Sequence, residues 1–171
     1  IAAWEDALPE YMHLAYLPAP NIVRLRLSAY DVDKAEATKA IECEFNKLSA
    51  IIGDNIVGYE GESIEHLIHQ RLSERGLTLA VAESCTGGAI ASKFTAMAGA
   101  SQYFLAGVVS YSNESKRDIL GVRMADIEQY GAVSEEVARQ MAEGVRRITG
   151  SDYALATTGI AGPGGGSEAK P

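Results

Sequence analysis

Length, composition and charge narrow the classes of protein to which this chain belongs. It has 171 residues, 47% of them hydrophobic, so we expect a packed core shared by one ordinary domain or two small ones, and wholesale disorder is disfavoured. A formal net charge of −8 disfavours attraction to phosphate backbones, so no nucleic-acid partner is expected. No apolar run reaches the roughly 18 residues of a membrane-spanning helix, so no membrane association is predicted.

The cysteines and the chain ends add three expectations. Two cysteines, Cys43 and Cys85, lack the spacing of metal ligands, which favours a reducing, cytoplasmic setting and predicts no metal site. The chain starts with Ile1 rather than Met and stops at Pro171 directly after a glycine-rich stretch. This predicts that the chain is a piece of a longer protein.

The first third of the chain predicts a small α+β unit. Prolines mark residues 1–20 as the tail of an upstream element followed by a loop. Residues 22–30 alternate apolar and polar side chains, which is typical of a half-buried strand. A helix with apolar residues at helical spacing then ends at Gly53, and residues 55–59 are a candidate short strand.

After one further helix, the pattern from residue 77 onward predicts strands that alternate with helices. Ser63 caps a predicted helix that ends at Gly76. His66 and His69 lie three apart on that helix, and packed or surface histidines are favoured over a metal pair because no third ligand follows nearby. The remaining predicted elements are strands at 77–82, 103–111 and 153–158 and helices at 84–97, from 113, at 124–130 and from 134. This alternation predicts an α/β domain with helices covering a sheet.

Unusual segments follow each of the three predicted strands of this domain. They are residues 83–88, 111–116 and the glycine-rich loop 159–166. Ligands of such sheets usually bind at the carboxyl ends of the strands. The convergence of the three segments at those ends is therefore the main indication of a site.

Ser84 stands at the predicted strand-to-helix turn. The backbone amides of Thr86 and Gly87 could stabilise an oxyanion or a phosphate there, and Gly87 and Gly88 permit a ligand to approach the backbone. On the serine alone, a helix cap is the favoured interpretation over a nucleophile. Cys85 is a rival nucleophile, although a small packed group is preferred for it.

A serine nucleophile needs a base, and no histidine falls at a strand end. Lys116 does lie near one, and a buried lysine with a depressed pKa can act as a base. Tyr111 could orient it or relay the proton. An ordinary surface lysine remains an equal alternative on the residues alone.

The third segment fits neither the Walker loop nor the dinucleotide fingerprint. Its glycine density suits close approach to a ligand, and a lid or a hinge fits equally well. Thr158, at the predicted strand tip, could donate a hydrogen bond to a substrate.

Four motifs occur in one order over the second half of the chain, and together they closely resemble the C-terminal domain of the CinA (competence/damage-inducible protein A) family. The motifs are Glu83-Ser84-Cys85-Thr86-Gly87-Gly88, residues 109–116, Gly131-Ala132-Val133-Ser134-Glu135 and residues 158–166.

The resemblance implies a nicotinamide-nucleotide amidohydrolase that converts nicotinamide mononucleotide to nicotinic acid mononucleotide and ammonia, without metal or other cofactor. Ser84 then matches the family's nucleophile, and Lys116 and Tyr111 match its base and assisting tyrosine. Thr158 and the glycine-rich loop match its substrate-binding side. Together with the turn after Ser84, the candidate substrate-binding residues are Thr86, Gly87, Gly88, Thr158, Gly159, Gly162 and Gly164. A homodimer with a small nucleotide substrate is also implied.

The resemblance further implies a domain organisation. Residues 1–16 are expected to be the tail of an upstream domain, and residues 17–59 a KH-like domain without the Gly-x-x-Gly signature that RNA binding needs. Residues 60–171 are expected to be the first part of an amidohydrolase domain, a three-layer α/β fold that is incomplete. We therefore expect little activity from the chain on its own.

Two alternatives to this enzyme stay open on the sequence. One is a non-catalytic nucleotide-binding or assembly module of a competence/damage-inducible protein. The other is an enzyme that acts on a different small amide.

Overall fold

Residues 1–20, 22–59 and 62–167 are described by a computed structural model. The chain divides into two units, Ile1–Glu60 and Gly61–Pro171. No helix within the described ranges is both long and apolar enough to cross a bilayer.

The first unit is a hairpin with helices. Strands β1 (Met12–Ala19) and β2 (Ile22–Ala29) pair antiparallel, and the long helix α2 (Lys34–Ile52) follows a cap in which Asp33 accepts a hydrogen bond from the amide of Ala35 at 2.8 Å. The prediction of a loop over residues 1–20 was wrong. Since β1 has one described partner strand, its single proline, Pro18, falls where a sheet edge tolerates it.

The predicted strand at residues 55–59 is also wrong. A 3-10 turn (Gly53–Asn55) follows α2, and residues 56–59 are irregular. The apolar side chain of Val57 is 47% exposed. A strand needs a neighbouring strand to satisfy its backbone groups. In the described residues, the sheet of the first unit contains only β1 and β2, so residues 55–59 do not pair with it.

Residues 1–16, expected to be the tail of an upstream domain, contribute Trp4, Leu8 and Leu14 to the hydrophobic cluster of the first unit. The short helix α1 (Ala2–Glu5) buries Trp4 against Leu27 and Leu48. The indole nitrogen of Trp4 also donates to the buried carboxylate of Glu44 at 3.0 Å. This tertiary contact spans 40 positions and is not visible as a local pattern.

The second unit is built on a parallel sheet, as the sequence predicts. Its strands are β3 (Leu79–Glu83), β4 (Phe104–Val109) and β5 (Tyr153–Thr157), in the spatial order β4-β3-β5. The central strand β3 is buried over its whole length, which is expected of a parallel strand covered on both faces.

Five α-helices of the described residues cover that sheet, in agreement with the predicted α/β class. They are α3 (Ile64–Arg75), α4 (Ala89–Thr95), α5 (Asn113–Leu120), α6 (Met124–Tyr130) and α7 (Glu135–Thr149). Side chains of β3 alternate between two cores. Ala80 and Ala82 pack with residues of α5, α6 and α7, whereas Leu79 and Val81 pack with residues of α3 and α4. The sheet therefore forms the middle of three layers.

Helices α5 and α7 approach each other closely at a glycine. A Cβ atom at Gly144 would lie 2.1 Å from the carbonyl oxygen of Leu120, the last residue of α5. Gly144 is in the interior of α7, where glycine is otherwise unfavourable. Its missing side chain is therefore what permits this packing.

The helix predicted from Ser84 begins later. Residues 84–88 form a turn, and α4 starts at Ala89 after Gly88, whose φ is +100°. Gly87 also has a positive φ of +59°. Two successive left-handed residues cannot continue an α-helix, so the turn separates Ser84 from the helix.

Candidate active site

Ser84 and Lys116 meet at the carboxyl edge of the sheet. Lys116 Nζ lies 3.0 Å from Ser84 Oγ, and the two side chains come from positions 32 apart in the chain. Ser84 is 7% exposed and Lys116 only 1%. The alternative of an ordinary surface lysine is therefore excluded by its burial.

Two backbone carbonyls complete the surroundings of the lysine nitrogen. Lys116 Nζ donates to the oxygen of Ser110 at 2.7 Å and to the oxygen of Tyr111 at 3.0 Å. A neutral amine has two hydrogens and one lone pair. In the neutral form, with both hydrogens on the carbonyls, the lone pair would be directed at Ser84 Oγ, which is the arrangement a general base requires.

Burial also favours the basic form of this lysine. Desolvation lowers the pKa of Lys116 below its ordinary value, and the nearby Cys85 opposes this by a smaller amount. Within the described ranges, no carboxylate forms an ion pair with Lys116. Desolvation without a compensating carboxylate is therefore what lowers the pKa of this lysine.

The position of Lys116 follows from the start of α5. Ser112 caps this helix by accepting a hydrogen bond from the amide of Ser115 at 3.1 Å. The cap places α5 immediately after β4, and Lys116 lies in its first turns, so its side chain points back towards the strand end.

Glu83, which precedes the serine, faces the opposite side of the sheet. Its carboxylate accepts hydrogen bonds from the amides of Gly88 and Ile90 at 3.1 Å and from that of Ala91 at 2.8 Å. Burial raises the pKa of Glu83, but hydrogen bonds from the Thr86 hydroxyl and these amides outweigh it, so its pKa lies below the ordinary value.

These contacts change which amides face a ligand. The amide of Gly87 was expected to stabilise an oxyanion. In the structure it donates to the backbone carbonyl oxygen of Ser84 at 3.1 Å. Glu83 occupies the amides of Gly88, Ile90 and Ala91, and the amide of Ala89 donates to the backbone oxygen of Thr86. In the described part of the chain, the amides of Cys85 and Thr86 make no hydrogen bond and are the remaining candidates for an oxyanion site.

Tyr111 contributes its backbone to the site. Its carbonyl contacts Lys116, whereas its side chain is 76% exposed. The structure does not bring the phenol to the lysine, and the assisting role of Tyr111 stays a prediction.

The end of β5 is joined to the nucleophile turn by hydroxyl groups. The hydroxyls of Thr86 and Thr157 lie 2.7 Å apart, and the amide of Ser84 donates to the oxygen of Thr157 at 3.0 Å. The hydroxyl of Thr158 donates to the oxygen of Ala132 at 2.8 Å. The Thr158 hydroxyl was expected to donate to a substrate, but in this structure it donates to the backbone of Ala132 instead.

The glycine-rich loop touches the same turn at its first residue. A Cβ atom at Gly159 would lie 3.1 Å from Cys85 Sγ. By contrast, a Cβ atom at Gly162 or at Gly164 would have no other atom within 4 Å. These two glycines leave open space beside the backbone, and their contact with a substrate stays a prediction.

Three residues near the site have contacts that the sequence did not assign. Glu83 was part of a quoted motif without a role, and Thr157 was predicted only as a strand residue. Ser110 is fully buried, and its hydroxyl has no hydrogen-bond partner within the described ranges. A carboxylate directly after an apolar predicted strand was the one available signal, since burying it requires partners.

The two histidines of the second unit lie away from this edge of the sheet. His66 and His69 are both on α3, with ring centroids 6.2 Å apart, and His69 packs edge-on to Tyr103 in the core at 5.1 Å. Searching the described ranges gives no group of three or more potential metal ligands.

Comparison with known proteins agrees with the motif analysis. Residues 61–171 match the family model of the CinA C-terminal domain. The chain belongs to the CinA family. The CinA match covers the whole second unit, including Ser84, Lys116 and the residues that position them.

Relatives and solved structures carry the same family name. A competence-damage inducible protein of Desulforudis audaxviator is 48% identical over 158 residues, which are 92% of this chain and 38% of that protein. A CinA-like protein of Flavobacterium psychrophilum is 46% identical over 97% of this chain and 40% of its own length. The chain thus spans about two fifths of the curated relatives that it matches.

Two solved structures are similar to the chain in fold and in sequence. The competence/damage inducible protein CihA of Agrobacterium tumefaciens has a TM-score of 0.61 and 46% identity, covering 63% of this chain and 65% of that one. A CinA superfamily protein of Escherichia coli has a TM-score of 0.61 and 37% identity, covering 70% and 73%.

Proposed function

We propose that this CinA-family chain carries the site of a nicotinamide-nucleotide amidohydrolase, which converts nicotinamide mononucleotide to nicotinic acid mononucleotide and ammonia. The observation that carries the proposal is the buried pair of Ser84 and Lys116, with Oγ and Nζ 3.0 Å apart. A serine beside a desolvated amine is a combination suited to acyl transfer.

The environment of the lysine supports its role as the base. The carbonyls of Ser110 and Tyr111 accept hydrogen bonds from Nζ, and burial lowers the pKa of Lys116. Burial favours a neutral amine that can take the proton of Ser84, and the two carbonyls hold Nζ in place beside Ser84 Oγ. An isolated serine at a helix cap would have no comparable partner.

In the proposed first step, Ser84 Oγ attacks the carbonyl carbon of the substrate carboxamide while Lys116 Nζ accepts its proton. The amides of Cys85 and Thr86 then donate to the developing oxyanion. Such a contact is typically worth about 3 kcal/mol in transition-state stabilisation. Tyr111 assists the lysine in the mechanism that the family resemblance implies.

In the second step, the tetrahedral intermediate collapses. The C–N bond breaks, Lys116 returns the proton to the leaving nitrogen, and ammonia departs. Water then attacks the acyl-serine with Lys116 as base. The oxygen of this water becomes part of the carboxylate of the product. Ser84 regains its proton in this hydrolysis, so the enzyme returns to its starting state.

Ammonia release from nicotinamide mononucleotide tests this proposal. The full-length protein is compared with its Ser84→Ala variant, and we expect turnover in the first and a loss of more than about 1,000-fold in the second. Binding of the nucleotide is measured for both by calorimetry.

A folded protein that binds the nucleotide but releases no ammonia would contradict the proposed reaction and support a binding module instead. A panel of other small amides, run beside the nucleotide, separates an amidohydrolase with a different substrate from that outcome.

A further inference from the structure

Glu83 holds a position in the site that the proposed chemistry does not use. Its side chain is 1% exposed, and its carboxylate reaches three amides of α4 and of the residue before it. Its backbone oxygen also accepts a hydrogen bond from the amide of Ser110 at 2.8 Å. One residue is thus bonded to both segments that carry the catalytic pair.

Alternation along β3 places the carboxylate and the nucleophile on opposite faces. Leu79 and Val81 belong to the core on the α4 side, and Glu83 continues that face. Ser84 follows the face of Ala80 and Ala82, where Lys116 meets it. A carboxylate anchored on one face therefore fixes the strand end from which Ser84 projects on the other.

The bonds to α4 also define the turn between Ser84 and the helix. Residues 84–88 are tied at one end by Ser84 to Thr157 and at the other by the Gly88 amide to Glu83. Between these ties, the amides of Cys85 and Thr86 stay free of hydrogen bonds to the described residues. These are the amides that the proposed reaction needs for its oxyanion.

We propose that Glu83 is a positioning residue of the amidohydrolase site, which holds the turn 84–88 so that Ser84 faces Lys116 and the Cys85 and Thr86 amides face the substrate. The inference rests on the proposed function. It assigns Glu83 no contact with the substrate and no proton transfer.

The lowered pKa of Glu83 supports an ionised carboxylate in this place. An ionised carboxylate has only acceptor sites, so both of its oxygens can receive amide hydrogens. A glutamine at the same position would turn an NH2 group towards at least one of these amides. Two donors would then face each other, and the turn would have to move to relieve the contact.

Kinetics of Glu83→Gln, of Glu83→Asp and of a matched control test this assignment. The control is Glu44→Gln, which alters another buried carboxylate, hydrogen-bonded to the indole of Trp4 in the first unit. We expect kcat of Glu83→Gln to fall about 100-fold, the usual effect of a small misplacement of catalytic groups. KM should change less than about 3-fold, and Glu44→Gln should retain the parent kcat.

The rate at which a fluorophosphonate probe labels Ser84 provides a second readout. It reports the reactivity of Ser84 without the nucleotide, and the labelled fraction at long times counts the folded sites. A role in stability alone would lower the melting temperature or the labelled fraction, while kcat per labelled site stayed unchanged. We expect the labelling rate of Glu83→Gln to fall with kcat.

Unchanged kcat per labelled site and unchanged labelling rate in Glu83→Gln would overturn the assignment. If that variant does not fold, Glu83→Asp decides, because it keeps the charge and shortens the side chain by one methylene. A parent-like kcat and labelling rate in folded Glu83→Asp would equally overturn it. If the parent labels at Ser84 but releases no ammonia, the proposed function fails, and the labelling rates alone still test Glu83.

Discussion

Gly159 lies against Cys85, so close that a Cβ atom added to the glycine would be 3.1 Å from the sulfur. This distance is shorter than ordinary van der Waals contact, so one of the two segments would have to shift. The contact joins the glycine-rich loop after β5 to the turn that carries Ser84. A change at Gly159 is therefore expected to reach the nucleophile through Cys85.

We predict that Gly159→Ala lowers kcat for ammonia release about 10-fold, because small displacements of a catalytic group are costly. Adding Cys85→Ala should restore most of the loss, since the smaller side chain removes the atom that the new methyl group meets. Steady-state kinetics of both single variants and the double variant check this. Equal losses in Gly159→Ala with and without Cys85→Ala would show that the loop acts by another route.

Cys85→Ala alone should keep ammonia release within about 3-fold of the parent. The sulfur packs on Gly159, whereas Lys116 Nζ is bonded to Ser84 Oγ. The same assay with Ser84→Ala should lose more than about 1,000-fold. The reverse order of these two effects would assign the nucleophile to Cys85, the rival considered from the sequence.

The depressed pKa of Lys116 predicts a pH dependence of stability. The folded state releases the proton of this lysine at a lower pH than the unfolded state does. Between the folded pKa and about 10.4, the value for an unfolded lysine, the unfolded state binds more protons, and the free energy of unfolding rises with pH.

Replacing Lys116 by methionine removes that titration and should abolish ammonia release. The stability of the parent relative to Lys116→Met should increase with pH across this window, as measured by urea unfolding at several pH values. Lys93→Met, which alters an exposed lysine on α4, serves as the matched control. A pH-independent difference between parent and Lys116→Met would mean that the lysine is not buried in solution.

Gly144→Ala should be strongly destabilising. Its methyl group would lie 2.1 Å from the carbonyl oxygen of Leu120, and helices α5 and α7 would have to separate. Overpacking of this kind typically costs up to about 3 kcal/mol in the free energy of unfolding. Gly53→Ala, which meets no atom within 4 Å, is the control, and urea unfolding of both variants checks the difference. Similar stabilities would contradict the close approach of the two helices.

The strands of the second unit were predictable because their signals are local. The run Leu77–Ala82 is apolar and bounded by polar turns, which is typical of a buried parallel strand. Parallel strands bring their carboxyl ends to one edge, so Ser84 and Lys116 could be expected near each other. The family motifs, rather than periodicity, singled out the pair.

The elements that the sequence missed depend on contacts distant in the chain. Strand β1 contains Pro18, which favours a loop locally, but its pairing with β2 outweighs that preference. Trp4 is held in the core by its hydrogen bond to Glu44 and by packing against Leu48. The sequence also could not show which backbone amides remain available to a ligand. That depends on the Glu83 side chain, whose carboxylate accepts hydrogen bonds from amides near the start of α4.

The contacts of Glu83 have a consequence for how a mononucleotide must lie in the site. The protein supplies its own anion to the positive end of α4, where a phosphate would otherwise be attracted. A nucleotide whose carboxamide rests over Ser84 must therefore find the partners of its phosphate on another part of the protein. In the proposed complex, the carboxamide on its cationic pyridinium ring and the phosphate therefore occupy different parts of the protein.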